Sequence, residues 1–405
     1  MKKKKVLFIS YDGLTDPLGQ SQILPYFKGL SALGHEITIL SCDKRDAFER
    51  HSTMVQKQCD AHNIKWEHCF YHKSPPILST LWDVRNLRRK AIDLNRKYNF
   101  DIIHCRSIIA TIIGDVLRKN NNAKLIFDIR GFWADERVEG KLWNLNNPIY
   151  KAVYRYFKRK EKQLFQSADA IVSLTENAKQ HILENFKTKD NFAVIPCCVD
   201  LNHFDYQNID SKEVLELKKE LRIKEDDYVL TYLGSLGTRY LLKEMLLFFK
   251  QLKTIEPKAK FLFISNSDTA EITTICANEN IDNRDIIITS AAYKEIPKYI
   301  SLGNASIFFI VSSFSGKAVS PTKLAEVMSL GLPIVTNANL GDTDKIIEKT
   351  ATGVIQHRYE ESEMLENAKK LVAINIPANE IRKVAKEYFS LEIAVERYNL
   401  IYQYL

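Results

Sequence analysis

Short apolar runs alternate with helical patterns along the whole chain. In the first half, the runs that predict buried strands are Lys5–Ser10, Glu36–Ser41, Asp101–His104, Lys124–Asp128, Ala170–Ser173 and Phe192–Ile195. Between them, apolar residues recur at helical spacing, as in Gln20–Leu33, Asp83–Lys97 and Pro148–Phe165. This alternation is typical of a parallel sheet covered by helices on both faces, so it predicts an α/β, doubly wound, Rossmann-like domain.

A second series of strands begins after Ile195-Pro196-Cys197-Cys198-Val199-Asp200 interrupts the pattern. The predicted strands of this series are Tyr228–Leu233, Lys260–Ile264, Ile286–Thr289, Ser306–Ile310, Pro333–Val335 and Gly353–Ile355. We therefore predict two doubly wound domains, residues 1–200 and 201–389, with a final helix in 390–405 that returns to the first. Ligands of open α/β sheets bind at the carboxyl ends of the strands, so we expect an active site in a cleft that both domains face.

The net charge of +8 is unevenly distributed over the 405 residues. Residues 1–200 contain 33 Lys and Arg against 22 Asp and Glu, whereas residues 201–405 contain 25 against 28. The positive half predicts an anionic partner or surface. Its cations concentrate in Arg85–Lys90 and in Lys151–Lys162, where they alternate with aromatic residues; the second cluster is either a membrane-surface helix or a solvated helix that covers the sheet. Nucleic acid is not predicted, because no zinc-finger or RNA-recognition pattern occurs.

Targeting and redox signals are weak in this sequence. There is no run of eighteen apolar residues, and the N-terminal lysines lead directly into Val6–Ile9, which is too short for a signal peptide. We therefore expect a cytoplasmic protein, with peripheral contact to the inner face of the cytoplasmic membrane if Lys151–Lys162 is a membrane-surface helix. The seven cysteines include no Cys-x-x-Cys pair, so we expect them to be reduced and mostly buried.

The segment Ser320–Glu326 carries the clearest chemical signal. Ser320 is a favourable N-cap and Pro321 suits the first helical position, so a helix is predicted to begin here, with Thr322 in its first turn. Helix N-termini attract anions, and Lys317 and Lys323 add positive charge, which predicts a diphosphate site. The alternative is a capped helix with solvated lysines. Glu326 either pairs with Lys323 on the helix surface or accepts hydrogen bonds from two ribose hydroxyls.

Two glycine-containing loops follow predicted strands. The first extends from Gly13 through Gly19 and Gln20; it lacks the Gly-x-Gly-x-x-Gly fingerprint and the phosphate-binding lysine, so neither a nicotinamide cofactor nor a kinase site is predicted. The second contains Gly234, Ser235, Gly237 and Arg239, and its backbone could approach an anion that Arg239 or Lys243 also reaches. We interpret both loops as parts of the ligand cleft.

Five segments together resemble the glycosyltransferases of the GT-B fold, and in particular the retaining family 4 enzymes that use nucleotide sugars. They are Gly13–Gln22, Asp169–Glu176, Ile195–Phe204, Gly234–Gly237 and Glu326–Pro333. The resemblance implies that Glu326 holds the ribose of the donor and that the loop Gly234–Arg239 contacts its phosphates. It also implies front-face attack assisted by the leaving phosphate, with no protein nucleophile and no cofactor beyond a UDP- or GDP-linked co-substrate.

Two positions depart from the family pattern. The first glutamate of the usual pair would be at residue 318, which is alanine, and the variant segment resembles enzymes that build bacterial surface polysaccharides. The strand end that often supplies a histidine is followed instead by Asp128, Arg130 and Asp135. We predict that Arg130 stabilises the departing phosphate or sugar and that Asp128 or Asp135 orients the acceptor hydroxyl. The alternative is that Asp128 and Arg130 only satisfy each other and a loop.

Metal chemistry is not predicted. Asp342-Thr343-Asp344 precedes a helical pattern and is explained by helix capping, and His62, His68, Cys69 and His72 have no zinc spacing and are interpreted as surface and edge residues. The sequence thus predicts a metal-independent glycosyltransferase that acts on a glycan or polyprenyl-linked glycan acceptor. An epimerase of the same fold and a non-catalytic sugar-nucleotide-binding module are the alternatives.

Overall fold

The computed structural model describes residues 2–75, 77–119, 122–189, 191–237 and 239–405. The chain divides into two compact units, Met1–Cys198 with Leu391–Leu405, and Val199–Ser390. Each unit is built on one parallel sheet with helices on both faces. The doubly wound α/β class predicted from the alternating pattern is therefore confirmed for both halves of the chain.

The sheet of the first unit has seven strands in the order β3-β2-β1-β4-β5-β6-β7, all paired in parallel. Their bounds are β1 (Lys5–Ser10), β2 (Glu36–Asp43), β3 (Lys65–Phe70), β4 (Ile102–Arg106), β5 (Lys124–Asp128), β6 (Ala170–Ser173) and β7 (Phe192–Val194). The central strands are buried on both sides, as expected for continuous apolar runs such as Val6–Ile9.

Helices cover both faces of this sheet. They are α1 (Pro17–Gln22), α2 (Leu24–Ala32), α3 (Arg45–Ala61), α4 (Leu78–Tyr98), α5 (Ser107–Arg118), α6 (Trp133–Glu139), α7 (Pro148–Ser167), α8 (Glu176–Asn185) and α17 (Leu391–Tyr404). Helix α5 packs between α4 and α7, whereas α2 packs against α17. Right-handed crossovers put α4, α5 and α7 on one face and α2 on the other, because the strand order reverses between β1 and β4.

The sheet of the second unit has six parallel strands in the order β10-β9-β8-β11-β12-β13. Their bounds are β8 (Val229–Leu233), β9 (Lys260–Ile264), β10 (Ile286–Thr289), β11 (Ala305–Phe308), β12 (Ile334–Asn337) and β13 (Gly353–Gln356). The helices are α9 (Ser211–Glu220), α10 (Leu242–Ile255), α11 (Ala270–Glu279), α12 (Ile296–Ile300), α13 (Thr322–Ser329), α14 (Thr343–Thr350), α15 (Glu361–Val372) and α16 (Ala378–Phe389). The strand order reverses between β8 and β11.

Several predicted boundaries are wrong in informative ways. The helix predicted over Gln20–Leu33 is two helices that meet at Ile23, whose φ of −126° and ψ of −66° interrupt the regular backbone. Strand β3 is an edge strand, as the alternation of Trp66 through Phe70 and the interpretation of its histidines as edge residues predict. Helix α4 begins at Leu78 rather than Asp83, and its added turn has exposed apolar side chains.

The final helix α17 belongs to the first unit. The Tyr398 hydroxyl donates to Asp128 Oδ2 at 2.9 Å, and the Tyr402 hydroxyl lies 2.8 Å from His104 Nδ1. All four side chains are buried, so the helix is fixed to the sheet by polar contacts as well as by apolar packing. Among the helices in the described ranges, none is both long enough and apolar enough to cross a bilayer.

Candidate functional site

The reversal point between β8 and β11 is where an open α/β sheet is expected to bind its ligand. The loops that leave these two strands are bonded to each other: Leu241 N donates to Phe309 O at 3.0 Å, and Val311 N donates to Arg239 O at 2.9 Å. Helix α13, which carries Lys323 and Glu326, follows directly after the second loop. The two strand ends and the helix start therefore form one contiguous site within the second unit.

Lys323 is buried in this site, with 7% of its surface exposed. Its Nζ atom lies 3.4 Å from the Tyr232 hydroxyl, and it lies 3.9 Å and 4.4 Å from the ring centres of Tyr240 and Tyr232. Aromatic faces attract a cation, but they replace only part of the hydration that the ammonium loses on burial. The alternative of a solvated lysine on the helix surface is therefore wrong for Lys323.

Gly234 explains how the lysine fits. Its φ is +120°, and a Cβ atom at this position would lie 3.0 Å from Lys323 Nζ. A residue with a side chain would be strained there and would displace the ammonium. At Gly237, by contrast, a Cβ atom would meet nothing within 4 Å. Only the first of these two glycines is required by the local packing.

The titration of Lys323 and Glu326 is shifted in opposite directions. Burial lowers the pKa of the Lys323 ammonium to about 7, although the nearby Glu326 carboxylate opposes the change. Burial likewise raises the pKa of the Glu326 carboxyl to about 7, against the effect of Lys323. Neither group forms an ion pair within 4 Å with any described residue, so the desolvation of the buried Lys323 and of the half-buried Glu326 remains largely uncompensated. Shifts of this kind are characteristic of functional sites.

Tyrosines around Glu326 were missed by the sequence analysis. The carboxylate helps to raise the pKa of both Tyr240 and Tyr293, for which burial is the main cause. The ring of Tyr293 stacks on His203 with centres 4.7 Å apart. The only sequence signal for Tyr232, Tyr240 and Tyr293 was their position at or after the end of a strand. Aromatic residues of the core share this position, so the signal did not identify these tyrosines as site residues.

The remaining residues predicted for the donor site are placed differently. The amides of Gly234 and Leu236 donate within the unit, to Ile264 O and to Ser267 Oγ, and Ser235 O accepts from the Tyr232 hydroxyl. Arg239 is half-buried, and its charge partly offsets the rise in the Tyr240 pKa. Lys243 forms an ion pair with Glu279 at 2.7 Å. Thr238, within the predicted loop, lies outside the described residues.

The segment before α13 differs from the prediction in one respect. The helix begins at Thr322, with Pro321 rather than Ser320 at the N-cap position and without a side-chain capping bond. Proline lacks an N–H and is restricted in φ, which suits it to either boundary position. Ser320 and Thr322 are half-buried beside the helix start, and Lys317 is exposed with its Nζ atom 5.4 Å from the Phe314 ring centre. Ala318 is buried.

In the first unit, the predicted cleft loop is held together by its own residues. Thr15 N and Oγ1 donate to Asp43 Oδ1 at 2.8 Å and 2.7 Å, and Gln20 Nε2 donates to Thr15 O at 2.9 Å. A Cβ atom on Gly13 would lie 2.9 Å from Asp43 Oδ1, and one on Gly19 would collide with the Gly13 carbonyl. In the free protein, the two glycines and Gln20 therefore determine the conformation of the loop.

The reversal point of this sheet, between β1 and β4, is bridged by an ion pair. Arg106 Nε donates to Asp12 Oδ2 at 3.1 Å. Nearby, the buried Asp83 accepts from His72 N at 2.8 Å and from the Tyr11 hydroxyl at 3.3 Å, and its other oxygen lies 2.6 Å from His72 Nδ1. His72 was interpreted as an edge residue; its carboxylate partner was missed because the two are eleven positions apart.

The three residues predicted to act in catalysis have protein partners. Asp128 is buried beneath α17, where Arg130 and His104 hold its pKa below the ordinary value although burial opposes this. Arg130 NH1 lies 3.8 Å from Asp128 Oδ2, and its NH2 donates to Cys197 Sγ at 3.3 Å. Asp135 accepts from Tyr154 and Lys158 at 2.8 Å and 2.7 Å. Contact with a substrate would require these groups to exchange partners, so their catalytic roles stay predictions.

The other polar clusters considered in the sequence have local explanations. Asp342 occupies the N-cap position of α14, without a side-chain capping bond, and Asp344 Oδ2 accepts from Asn339 N at 3.1 Å. No group of three or more potential metal-ligating side chains occurs within the described part of the chain. All seven cysteines are free and six are buried, as predicted.

Comparison with known proteins identifies relatives of both units. The model of Glycosyltransferase Family 4 matches residues 26–203, and the model of Glycosyl transferases group 1 matches residues 213–388. An uncharacterized glycosyltransferase of Methanocaldococcus jannaschii is 23% identical over 323 residues, which are 76% of each chain.

Solved structures share the fold over nearly the whole length. A glycosyltransferase from Rickettsia africae superposes with a TM-score of 0.74 at 17% identity, covering 99% of this chain and 98% of the other. Anabaena HepE in complex with UDP superposes with a TM-score of 0.71 at 13% identity, covering 99% and 100%. Sequence identities this low establish only a shared fold, and the bound UDP is a property of HepE.

Proposed function

The chain belongs to the GT-B glycosyltransferases of the family 4 type, and from this premise we propose that it transfers a sugar from a UDP- or GDP-linked donor, with retention, to a hydroxyl of a glycan or polyprenyl-linked glycan. The observation that carries the proposal is the pair Lys323 and Glu326 at the β8–β11 reversal point. Lys323 is buried there and Glu326 is half-buried, and neither has an ion-pair partner in the described chain.

A nucleoside diphosphate would satisfy both groups. Its phosphates would accept hydrogen bonds from the Lys323 ammonium, and two ribose hydroxyls would donate to the Glu326 carboxylate. The desolvation of Lys323 that is uncompensated in the free protein would then be offset by the ligand. The complex of Anabaena HepE with UDP supports this assignment by analogy of fold. Ser320, Thr322, Lys317 and Arg239 are proposed to complete the phosphate contacts.

The proposed reaction needs positioning and charge stabilisation from the protein. The acceptor hydroxyl attacks the anomeric carbon on the face that the nucleotide leaves, and its proton passes to the departing phosphate oxygen. Lys323 would stabilise the negative charge that develops on that phosphate. The step requires no protein nucleophile and, in this proposal, no metal ion. We further propose that the acceptor belongs to bacterial surface polysaccharide or lipid-linked glycan assembly.

Nucleotide binding by the full chain tests the donor assignment. We expect UDP or GDP to raise the melting temperature of the protein, and we expect Lys323→Met and Glu326→Gln each to weaken the affinity at least about tenfold. Lys349→Met is the matched control, because Lys349 also contacts a tyrosine, Tyr388, but lies exposed on α14. Unchanged affinity in both site variants would refute the assignment. Mass spectrometry of products from a panel of nucleotide sugars would then identify the donor.

A further inference from the structure

Helix α4 has an exposed apolar face at its N-terminal end. Leu78, Leu81 and Trp82 are 65%, 62% and 58% exposed, which is unusual for three large apolar side chains on one helix. At 3.6 residues per turn, these three and Arg85 lie within an arc of about 100°. The opposite face of α4 packs against the sheet and α5 and contains the buried Asp83 and Leu87. The exposed face is therefore not required for the fold of the unit.

The exposed charged residues close to this face in the sequence are cationic. Lys73, Arg85, Arg88 and Arg89 are exposed, and the only acidic residue from Tyr71 to Ile92 is Asp83, which is fully buried. Leucine and tryptophan beside arginine are the composition of helices that lie in the headgroup region of an anionic bilayer. A symmetric contact between two copies through this face would instead bring their arginines together.

A second cationic helix lies on the same face of the sheet. Helices α4 and α7 both pack against α5, and α7 exposes Ile149 and Tyr156, which are 60% and 48% accessible, together with Lys151, Arg155 and Arg159. Lys158, which the sequence analysis grouped with these cations, is directed inward and donates to Asp135 and Glu161. Crossover helices run back from the carboxyl edge of a parallel sheet, so the first turns of α4 and α7 both start at that edge.

We propose that the outer face of the first turns of α4, formed by Leu78, Leu81, Trp82 and Arg85 and called here the α4 docking face, inserts into the headgroup region of an anionic bilayer. The exposed cations of α7 add electrostatic attraction beside it. Docking in this way brings the carboxyl edge of the first sheet to the lipid surface, where a lipid-borne acceptor would be presented. The inference concerns membrane contact and does not depend on the identity of the donor.

Vesicle binding by the full-length protein tests the proposal. We expect sedimentation with phosphatidylcholine vesicles that contain phosphatidylglycerol, and much weaker sedimentation with phosphatidylcholine alone. The double variant Leu81→Ser/Trp82→Ser should lose at least about tenfold in partitioning, because two large apolar side chains no longer leave water. Arg85→Glu/Arg88→Glu should lose a similar factor, and added salt should weaken binding of the wild type.

Two controls separate the docking face from general surface hydrophobicity and from misfolding. Leu33→Ser/Leu400→Ser removes exposed leucines associated with α2 and α17, which pack together away from α4, and should bind vesicles like the wild type. All variants should keep the thermal stability and UDP affinity of the wild type. A blue shift of tryptophan fluorescence on vesicles should decrease in Trp82→Phe, which reports insertion of that side chain.

The proposal fails if the α4 variants partition like the wild type. It also fails if the protein self-associates through this face, so that the same variants abolish a dimer while the wild type ignores anionic vesicles. A protein that binds vesicles as described but binds no nucleotide would contradict the donor assignment and leave the membrane inference intact.

Discussion

The two sheets share the same reversal of strand order but differ in what lies at the reversal point. In the first unit, charged groups at the β1–β4 end are paired: Asp12 with Arg106, and Asp83 with His72. In the second unit, Lys323 and Glu326 at the β8–β11 end have no ion-pair partner within the described chain, and burial moves both pKa values to about 7. Equivalent topology thus carries paired charges at the edge of one sheet and charges without an ion-pair partner at the edge of the other.

This difference is the reason for proposing that the edge of the second sheet binds an anionic ligand. A charged ligand would bind weakly at an edge whose charges are already paired, because the existing hydrogen bonds would first have to break. At an edge with a buried ammonium that has no ion-pair partner, an anionic ligand would offset the desolvation of the ammonium and would therefore bind favourably. Three predictions test the contrast, beginning with the largest expected effect.

Removal of Asp43 should destabilise the ordered edge. Asp43 is fully buried and accepts from Thr15 N, Thr15 Oγ1 and Ser41 Oγ, so Asp43→Ala leaves three donors without their partner. We expect a loss of about 3 kcal/mol in the free energy of unfolding, measured by thermal denaturation. Asp16→Ala is the matched control: among the described residues, the Asp16 side chain in the same loop pairs only with the exposed Lys44, so its loss should stay below about 1 kcal/mol. Equal effects would show that the loop is not organised by Asp43.

Glycine substitutions should separate the two positions of the phosphate loop. Gly234→Ala introduces a Cβ atom 3.0 Å from Lys323 Nζ on a backbone with φ of +120°, so we expect UDP affinity to fall about tenfold. Gly237→Ala adds a Cβ atom that meets nothing within 4 Å, so affinity should change by less than about twofold. Calorimetric titration measures both. Comparable losses of UDP affinity in both variants would mean that the conformation of the loop backbone, rather than the position of the Lys323 ammonium, determines binding.

The affinity for UDP should depend on pH through Lys323. In the free protein this ammonium loses its proton above a pKa of about 7, and a bound diphosphate favours the protonated form, so binding takes up a proton and weakens as pH rises above 7. The limiting decrease is about tenfold per pH unit. Below pH 7 protonation of Glu326 should weaken binding more mildly, because a neutral carboxyl is the poorer acceptor.

The variant Lys323→Met provides the control for this pH profile. The ratio of wild-type to Lys323→Met affinity cancels the titration of the nucleotide itself. We expect this ratio to decrease as pH rises above 7. A ratio that does not change between pH 6 and 9 would contradict the assignment of the ammonium to the phosphates.

Much of the architecture was determined by local sequence pattern. Continuous apolar runs such as Val6–Ile9 and Phe261–Ile264 predicted parallel strands, because a strand buried on both faces needs apolar residues at every position. The final helix was predicted within residues 390–405, and it extends over Leu391–Tyr404. The family resemblance came from five segments in fixed order, and the matching family models confirm it.

Tertiary structure alone decided the state of each charged side chain. Sequence spacing could not distinguish a surface pair at Lys323 and Glu326 from a buried site, since the rings of Tyr232 and Tyr240 that enclose the lysine come from another strand end. Likewise, Asp128 meets Tyr398 across most of the chain length. Periodicity determines which elements form, whereas burial and pKa depend on what other segments bring within a few ångströms, and that follows only from the folded arrangement.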